Sequence, residues 1–250
     1  MPVHFRQLPT IQSPRLATGE IHLWTLDLAA ALDEAHLRRL LDAEEQARAA
    51  RFRHAVAKRV FILTRGALRR LLGRYLETEP ASLSFLLGSR GKPRLSGTEP
   101  ERGLVFNISH SADTALFALA LDRSLGVDIE AWRTVKDMEG MALRCFSPLE
   151  LAYWHGLHED ARLAAFFAYW TCKEAFAKAV GAGIAVGLER CAIDLVNGPR
   201  LVAIPGEYGH PHDWELLSLD PGPGHSAALC AKGNIHLVRT GDLTEALRNL

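Results

Sequence analysis

The fold of this chain is organised around one stretch, Phe166-Phe167-Ala168-Tyr169-Trp170-Thr171-Cys172-Lys173-Glu174-Ala175-Phe176-Ala177-Lys178. The stretch lacks proline, is rich in helix-forming residues and is followed by Gly181 and Gly183, which predicts a helix over 161–180. One side of this helix is heavily aromatic, which indicates burial along much of its length. Charged side chains on such a helix need partners, because an unpaired buried charge is destabilising.

Glu174 and Lys178 are charged residues of this helix that lie one turn apart and share a face. Two interpretations are open from the helix alone. One is an ordinary i,i+4 salt bridge at a solvent edge, and the other is a pair of functional groups in an otherwise apolar surrounding. The choice between them depends on residues elsewhere in the chain.

The composition indicates a globular protein of one large domain or two small ones of roughly 100–150 residues each. The chain has 250 residues, 48% of them apolar and 23% charged, with a net charge of zero, so nucleic acid is not expected as a bulk partner. The longest apolar run, 115–121, is far shorter than the ~20 residues that span a bilayer, and we expect no membrane segment. Four scattered cysteines form no metal-type pair or disulfide framework and favour a reduced, cytoplasmic setting.

Hydrophobic periodicity predicts a long amphipathic helix over 51–76. The sequence also indicates a helix by composition over 33–50, short helices over 136–144 and 148–157, and a short polar tail or helix after 240. It predicts strands over 21–28, 82–87, 104–111, 114–121, 125–130, 191–196, 200–204, 214–219 and 225–231. The strands over 104–130 favour an antiparallel meander packed on the preceding helices. The repeated order of strand, helices and strands indicates a pseudo-duplicated α+β protein with a boundary near 122–126.

The helical region around 51–76 is strongly basic. No acidic residue interrupts it between Glu45 and Glu77, and its cations include Arg48, Arg51, Arg53, Lys58, Arg59, Arg65, Arg69, Arg70 and Arg74. For most of them a solvated helix face is a sufficient explanation. The alternative is that a few of them bind a phosphorylated ligand.

Asp128 and Glu130 form the second chemically informative pair. In a strand over 125–130 they point to one side, while Val127 and Ile129 point to the other. Two neighbouring carboxylates repel each other unless a cation lies between them. The pair is therefore either a polar face at an exposed edge or a site for a hard cation such as Mg²⁺, which prefers carboxylate oxygens, water and phosphate.

Glu150 has a structural explanation of its own. Ser147 is a plausible N-cap for the helix over 148–157, and Glu150 stands where the acid of a capping box belongs.

Four stretches together resemble the 4'-phosphopantetheinyl transferases of the Sfp type. They are Gly91-Lys92-Pro93, Phe106-Asn107-Ile108-Ser109-His110-Ser111, Gly126-Val127-Asp128-Ile129-Glu130 and Trp170-Thr171-Cys172-Lys173-Glu174-Ala175-Phe176-Ala177-Lys178. Each stretch is a weak signal alone, but their order and spacing also match the family. Together with Phe146-Ser147-Pro148-Leu149-Glu150, the resemblance covers most of residues 50–190.

The resemblance implies a cytoplasmic, Mg²⁺-dependent holo-[acyl-carrier-protein] synthase. Such an enzyme transfers the 4'-phosphopantetheine arm of coenzyme A to a serine of an apo acyl or peptidyl carrier protein and releases adenosine 3',5'-bisphosphate. The carrier, expected to have an acidic surface, would serve fatty acid, polyketide or nonribosomal peptide biosynthesis. The implied fold is an α+β monomer of two similar halves related by a pseudo-twofold axis, each with helices packed on a small antiparallel sheet.

The two implied halves are residues 1–123, which contact the nucleotide and its 3'-phosphate, and residues 124–250, which hold the metal and the pyrophosphate. The active site lies in the cleft between them. By position, Asp128, Glu130 and Glu174 match the metal-binding carboxylates of the family. Glu150 matches a carboxylic acid residue that in this family acts as a general base or positions a water. The resemblance thus implies Glu150, Glu174 and Lys178 as the catalytic candidates.

The coenzyme A contacts implied by the resemblance come from both halves. Lys173 and Lys178 match cations at the phosphates; Lys92, Pro93, Ser109 and His110 match residues that hold the nucleotide part, with His110 near the 3'-phosphate. Arg48 and Arg51 fall where the family tends to place phosphate-binding cations. Glu45 departs from the pattern, because related proteins can have a lysine there.

The implied reaction explains why these residue types occur together. A serine hydroxyl attacks the β-phosphate of coenzyme A, and such transfers are catalysed mainly by positioning and by neutralising charge on phosphate oxygens. A cation also relieves the repulsion within the Asp128 and Glu130 pair. Two alternatives use the same residues: an inactive homologue that binds coenzyme A or a carrier, and a Mg²⁺-dependent hydrolase that cleaves a pyrophosphate with water.

Overall fold

The computed structural model describes residues 4–8, 14–88, 90–96 and 103–248. Its strands are β1 (His4–Gln7), β2 (Glu20–Asp27), β3 (Phe85–Leu87), β4 (Pro93–Leu95), β5 (Leu104–Ser111), β6 (Thr114–Leu121), β7 (Leu125–Ala131), β8 (Ala192–Asp194), β9 (Arg200–Ala203), β10 (Trp214–Leu219), β11 (His225–Lys232) and β12 (Leu237–Asp242). Its helices are α1 (Glu34–Arg39), α2 (Ala43–Arg51), α3 (Ala55–Leu76), α4 (Met138–Cys145), α5 (Pro148–His155), α6 (Glu159–Val180) and α7 (Leu243–Arg248).

Two sheets carry the architecture. The first has the strand order β1-β12-β2-β6-β5, and the second has the order β10-β11-β7. The predicted α+β class is confirmed. The first sheet is mixed rather than wholly antiparallel, because β12 arrives from the C-terminal end of the chain and runs parallel to both β1 and β2.

Each sheet packs against one 22-residue helix. Helix α3 covers the first sheet, with Leu68 and Leu71 in the same buried cluster as Phe117 of β6. Helix α6 covers the second sheet, with Phe176 packed edge-on against Trp214 of β10. Two short helices precede each long one, so the halves repeat the same order of elements as the sequence pattern predicts.

The remaining faces of the two sheets meet in a third apolar cluster, which joins the halves. Strand β6 lies between these clusters, and its sequence is an almost unbroken apolar run. Its odd-numbered residues, such as Phe117, face α3, and its even-numbered residues, such as Leu116, face the second sheet. Successive side chains of a strand point to opposite sides, so a strand buried on both faces needs apolar residues throughout.

Strands β5 and β7 lie side by side but belong to different sheets. In place of a backbone ladder, Asn107 Oδ1 accepts a hydrogen bond from Val127 N at 2.8 Å, and Ser111 Oγ accepts one from Ala131 N at 2.9 Å. Between them, Ser109 Oγ accepts from Ile129 N at 3.3 Å. The alternate polar residues of β5 therefore connect the two halves, and this connection places β7 beside the end of β5.

Gly126 allows β7 to approach α6 closely. A Cβ atom at this position would overlap the carbonyl oxygen of Ala175 and the amide nitrogen of Ala179. Any larger residue would push the strand from the helix, because the obstacle is backbone rather than a flexible side chain. The glycine thus sets the distance between the carboxylates of β7 and the charged face of α6.

The helices predicted over 33–50 and 51–76 are three helices in the structure. Asp42 and Glu45 form a capping box that begins α2, and the chain is extended at Phe52, where α2 ends. Helix α3 begins only after His54. Asp42 favours this break because its side chain competes for backbone N–H groups in a helix interior. Among the described residues, no helix combines the length and apolarity that a membrane span requires.

The C-terminal elements cross back to the first half. Strand β12 inserts between β1 and β2, and Leu243 and Leu247 of α7 enter the same apolar cluster as α3. The strand predicted after 125 also leaves the expected meander, since β7 pairs with β11 of the second sheet. Residues 237–248 are therefore packed with the half that precedes residue 124, and the two halves are interleaved.

Candidate active site

A cleft of about 420 Å³ collects most of the predicted site residues. It is lined by β5 from the first half and by β7 and α6 from the second. Its polar wall consists of Ser109, His110, Asp128, Glu130, Glu174 and Lys178, and its apolar wall of Ile108, Ile129, Trp170 and Ile184.

The centre of the cleft is an ion pair between Lys178 of α6 and Asp128 of β7. Lys178 Nζ lies 2.6 Å from Asp128 Oδ1 and also donates to Ser109 Oγ at 2.9 Å. Ser109 in turn donates to Asp128 Oδ1 at 2.8 Å. The three side chains come from three different elements and hold one another in place. The lysine keeps 27% of its side chain exposed, so its ammonium is accessible from the cleft.

Asp128 is incompletely satisfied. Its Oδ2 atom is buried and has no hydrogen-bond partner among the described residues. Burial raises the pKa of Asp128, while the Lys178 ammonium and the hydrogen bonds from Lys178 and Ser109 act in the opposite direction. A buried carboxylate oxygen without a donor is costly, which makes this atom a candidate ligand for a cation.

Glu174 faces the cleft one turn before Lys178. The simple i,i+4 salt bridge is absent from the described residues, because Lys178 reaches across to Asp128. Partial burial raises the pKa of Glu174, and the nearby Asp128 and Glu130 carboxylates raise it further. The negative charge of this wall therefore exceeds what Lys178 neutralises.

Glu130 stands two residues after Asp128 on the same side of β7, as the strand pattern predicts. Its Oε2 atom accepts hydrogen bonds from Arg133 Nη1 at 2.8 Å and from Ser111 Oγ at 3.2 Å. Arg133 is well exposed and lies outside every element, so this pair contributes little to stability. Neither Ser111 nor Arg133 was predicted to contact the site carboxylates.

The residues present fit a hard cation, although they do not enclose one. Within the described ranges no three His, Cys, Asp or Glu side chains converge closely enough to hold a metal ion. Yet Asp128, Glu130 and Glu174 line one cleft, and one oxygen of Asp128 lacks a donor. An all-oxygen set with open positions is the kind of site that suits Mg²⁺, which keeps water and substrate oxygens as further ligands.

His110 is exposed at the rim of the cleft, next to the Ser109 network. Partial withdrawal from water lowers the pKa of its imidazole, and the Lys178 ammonium lowers it further. The ring is therefore mainly neutral near pH 7 and offers both a donor and an acceptor nitrogen to a ligand.

Lys92 and Pro93 lie away from this cleft, in the short β3–β4 hairpin. Lys92 Nζ donates to the carbonyl oxygens of Leu125 at 2.8 Å and of Lys178 at 2.6 Å. Burial lowers the pKa of Lys92 to about 8, and the Lys178 ammonium contributes to the shift. In this arrangement Lys92 connects the end of α6 to the start of β7.

Lys173 and Glu150 are not brought to the cleft. Both side chains are wholly buried, and Lys173 Nζ lies 2.8 Å from Glu150 Oε2. Lys173 also donates to the carbonyl oxygens of Leu188 and Cys191. The predictions of a phosphate contact at Lys173 and of a base at Glu150 do not agree with these positions, because neither group is accessible to a ligand.

Glu150 instead has the structural role that its capping-box position predicts. One oxygen accepts from Ser147 N at 2.6 Å, and the other accepts from Ile193 N at 2.8 Å. The carboxylate thus begins α5 and attaches it to β8.

Arg48 and Arg51 are exposed on α2 and do not line the cleft. The Arg48 guanidinium lies 5.1 Å from the centre of the Phe61 ring. Glu45, the departure from the family pattern, is buried. It accepts a hydrogen bond from Arg69 Nε at 2.6 Å and forms an ion pair with Arg65 at 3.0 Å. Part of the basic region is therefore a buried ion-pair network rather than a solvated face.

Trp170 and Ile184 are cleft residues that were not predicted as site residues. Trp170 stacks on Phe166 at 6.1 Å, and the aromatic face of the helix was assigned to the core. Its position one turn before Glu174 was the available signal, since residues four apart share a helix face. Ile184 follows the end of α6 and had no such periodic signal.

Comparison with known proteins identifies relatives of this chain. The model of the 4'-phosphopantetheinyl transferase superfamily matches residues 124–230, which include β7 and α6. The 4'-phosphopantetheinyl transferase HetI of Nostoc sp. is 38% identical over 229 residues, covering 90% of this chain and 93% of its own length. The Synechocystis sp. protein slr0495 is 36% identical over 179 residues, covering 72% of each chain.

Among solved structures, a holo-(acyl-carrier-protein) synthase from Bacillus anthracis in complex with CoA (3',5'-ADP) aligns with 44% of this chain and 96% of its own. The sequence identity is 19% and the TM-score is 0.37.

Proposed function

Because the chain belongs to the 4'-phosphopantetheinyl transferase superfamily, we propose that it transfers the 4'-phosphopantetheine arm of coenzyme A to a serine of an apo acyl or peptidyl carrier protein. The observation that carries this proposal is the cleft in which Lys178 meets Asp128, with Glu130 and Glu174 on the same wall. A lysine ammonium, beside carboxylates that can hold a metal ion, suits a substrate whose reacting group is a pyrophosphate.

The chemistry requires one bond to form and one to break. The serine oxygen bonds to the β-phosphorus of coenzyme A, the bond from that phosphorus to the bridging oxygen breaks, and adenosine 3',5'-bisphosphate leaves. The serine hydroxyl loses its proton to a base. We infer that a group facing the cleft accepts it, because the Glu150 side chain is wholly buried beside Lys173.

Lys178 is the side chain that places a positive charge on the phosphates. Ser109 and Asp128 orient its ammonium, and the carbonyl oxygen of Val127 accepts from it at 3.2 Å. Preorganised charges of this kind stabilise a phosphoryl transition state because they need no reorientation when the charge develops.

Asp128, Glu130 and Glu174 are the residues that would hold Mg²⁺, with the unpartnered Oδ2 of Asp128 as its first anchor. When bound, the cation supplies charge neutralisation on the phosphate oxygens. In its absence burial raises the pKa of Glu174, and repulsion from Asp128 and Glu130 adds to that effect.

We propose that the two halves of the chain contact different parts of the substrate. Residues 1–123 contact the nucleotide, with His110 and the exposed Arg48 and Arg51 as its phosphate contacts, and residues 124–250 hold the metal and pyrophosphate. The four cysteines are free thiols, which supports a cytoplasmic location. The enzyme would act as a monomer on carriers with acidic surfaces.

The test is the intact mass of an apo carrier protein after incubation with this protein, coenzyme A and Mg²⁺, with and without a chelator. The proposal predicts a chelator-sensitive mass increase of one phosphopantetheine arm. Coenzyme A binding without any mass shift on several unrelated apo carriers would favour an inactive binding protein. Release of free phosphopantetheine without a carrier would favour a hydrolase.

A further inference from the structure

Ile184 occupies an unusual position for a large apolar side chain. It lies in the 3-10 turn Gly183–Val186 that follows α6, and the residue is 76% exposed. Its neighbours Ala182 and Val186 are buried and fix the turn on either side. Gly181 and Gly183 adopt positive φ angles of 72° and 55°, conformations that other residues adopt only with strain. The turn is therefore built to present Ile184.

What Ile184 faces is the charged cleft. It lines the same cavity as Asp128, Glu174 and Lys178, and Trp170 contributes a second apolar wall. A single exposed isoleucine is common on protein surfaces and needs no explanation. An exposed isoleucine next to a cation-carboxylate centre is different, because it gives the cleft an apolar contact adjacent to its phosphate-binding groups.

Coenzyme A, the proposed substrate, also has an apolar group adjacent to its phosphates. In coenzyme A the β-phosphate is followed by an ester oxygen, one methylene and then a carbon that carries two methyl groups. This branched apolar group of the pantoyl segment lies within a few bonds of the phosphorus that is attacked, and it stays with the transferred arm. A ligand whose pyrophosphate is bound at Lys178 therefore brings its two methyl groups close to the apolar rim of the cleft.

We propose that Ile184 is a specificity-determining residue that packs against the two pantoyl methyl groups of coenzyme A. The inference rests on the proposed function and extends it to the part of the substrate that is transferred. The contact removes apolar surface from water on both partners, which favours binding of coenzyme A over nucleotides that lack the arm. The carrier protein is the other possible partner of this residue, and the test separates the two.

The experiment measures calorimetric affinities in the presence of Mg²⁺ for the unchanged protein and for Ile184→Ala. The ligands are coenzyme A, an analogue in which both pantoyl methyl groups are replaced by hydrogen, and adenosine 3',5'-bisphosphate. Val196→Ala is the matched control, because Val196 is 67% exposed but does not line the cleft. The substitution at 184 is expected to weaken coenzyme A binding by roughly three- to tenfold.

Two further results are required. The affinity for adenosine 3',5'-bisphosphate stays unchanged in Ile184→Ala, and the analogue without methyl groups binds the unchanged protein and the variant equally. Equal losses for coenzyme A and the analogue would overturn the proposal. So would an unchanged coenzyme A affinity together with a raised KM for the carrier, which would make Ile184 a carrier contact.

Failure of the proposed function gives a different pattern. If coenzyme A binds with the expected dependence on Ile184 but no carrier gains mass, the transfer proposal is wrong and the methyl contact stands. If coenzyme A does not bind the unchanged protein at all, both are wrong.

Discussion

Helix α6 carries two lysines that form ion pairs in opposite settings. Lys173 pairs with Glu150 in a site where both side chains are wholly buried, whereas Lys178 pairs with Asp128 and keeps 27% of its side chain exposed. An α-helix advances about 100° per residue, so positions five apart lie about 140° from each other around the axis. One lysine therefore points into the second half and the other into the cleft.

The two pairs also differ in how completely their polar atoms are satisfied. Lys173 has three acceptors and the Glu150 oxygens receive backbone donors as well as the lysine. Asp128 keeps one buried oxygen without a donor among the described residues. A complete network stabilises a fold, whereas an incomplete one beside a cleft leaves capacity for a ligand. Our predictions separate these two roles.

The largest effect is expected when the buried pair is broken. Lys173→Met leaves the Glu150 carboxylate buried without its cation, and we expect the free energy of unfolding to fall by about 3–5 kcal/mol. Adding Glu150→Gln should recover part of this loss, because glutamine is neutral but its single carbonyl oxygen can accept from only one of the two backbone N–H groups bound by Glu150. Urea denaturation of the single and double variants measures both values. A Lys173→Met protein of unchanged stability would show that the buried pair is not structural.

In the cleft, Glu174→Gln should remove a negative oxygen ligand without removing volume. We expect transfer to fall by about 10²–10³-fold with the fold intact, because one preorganised charge at a reacting phosphate has effects of this size. The intact-mass assay measures the rate, and Glu189→Gln, an exposed position outside the cleft, is the control. A correctly folded Glu174→Gln enzyme with near-normal turnover would eliminate the metal-ligand assignment.

Lys178→Ala is expected to act on the same step with a somewhat smaller effect. Loss of its ammonium should weaken coenzyme A binding and slow transfer by on the order of 10²-fold. Lys136→Ala is the control, since Lys136 is exposed and does not line the cleft. Kinetics that match the control would mean that Lys178 forms only a structural ion pair with Asp128.

The smallest effect is expected from His22, a buried ionisable residue of the first half. In this buried ring Nε2 lies 3.6 Å from Glu20 Oε2, beyond hydrogen-bond distance, and the residue does not line the cleft. Its Nδ1 atom pairs with the Tyr75 hydroxyl at 2.5 Å, and the hydroxyl also accepts from Trp24. Burial lowers the pKa of His22 to about 4, while Glu20 opposes the shift and Arg239 adds to it.

The consequence of this shift is a loss of stability in acid. The unfolded chain binds a proton at His22 as the pH falls through about 6.5, whereas the folded protein resists protonation until about pH 4. Between pH 7 and pH 5 this group should lower the stability by about 2 kcal/mol. His22→Asn should lack that component in denaturation curves at the two values. An identical pH dependence in both proteins would contradict the shift.

Much of the fold follows from the sequence because its signals are local. Strand β6 is an apolar run since both of its faces are buried, and Asp128 and Glu130 share a side because strands alternate. Strand β12 was missed because its pairing is non-local. Its residues Leu237–Asp242 are a mixed polar stretch, and they become a strand only between β1 and β2.

The candidate site was predictable in part for the same reason. The carboxylates of β7 and the Glu174–Lys178 face of α6 meet in one cleft, as the motifs predict. The motif lysine Lys173 was assigned to the ligand although its angular position on the helix places it away from Lys178. Its burial depends on the carbonyl oxygens of Leu188 and Cys191, which no local pattern around residue 173 reveals.

The most direct test of these separate roles is the rate of carrier phosphopantetheinylation per folded molecule, measured by intact mass for Lys178→Ala and Lys173→Met at a temperature where both are folded. We predict a loss on the order of 10²-fold for Lys178→Ala and a change of less than about tenfold for Lys173→Met. The opposite order, with Lys173→Met inactive though folded and Lys178→Ala near normal, would contradict the account.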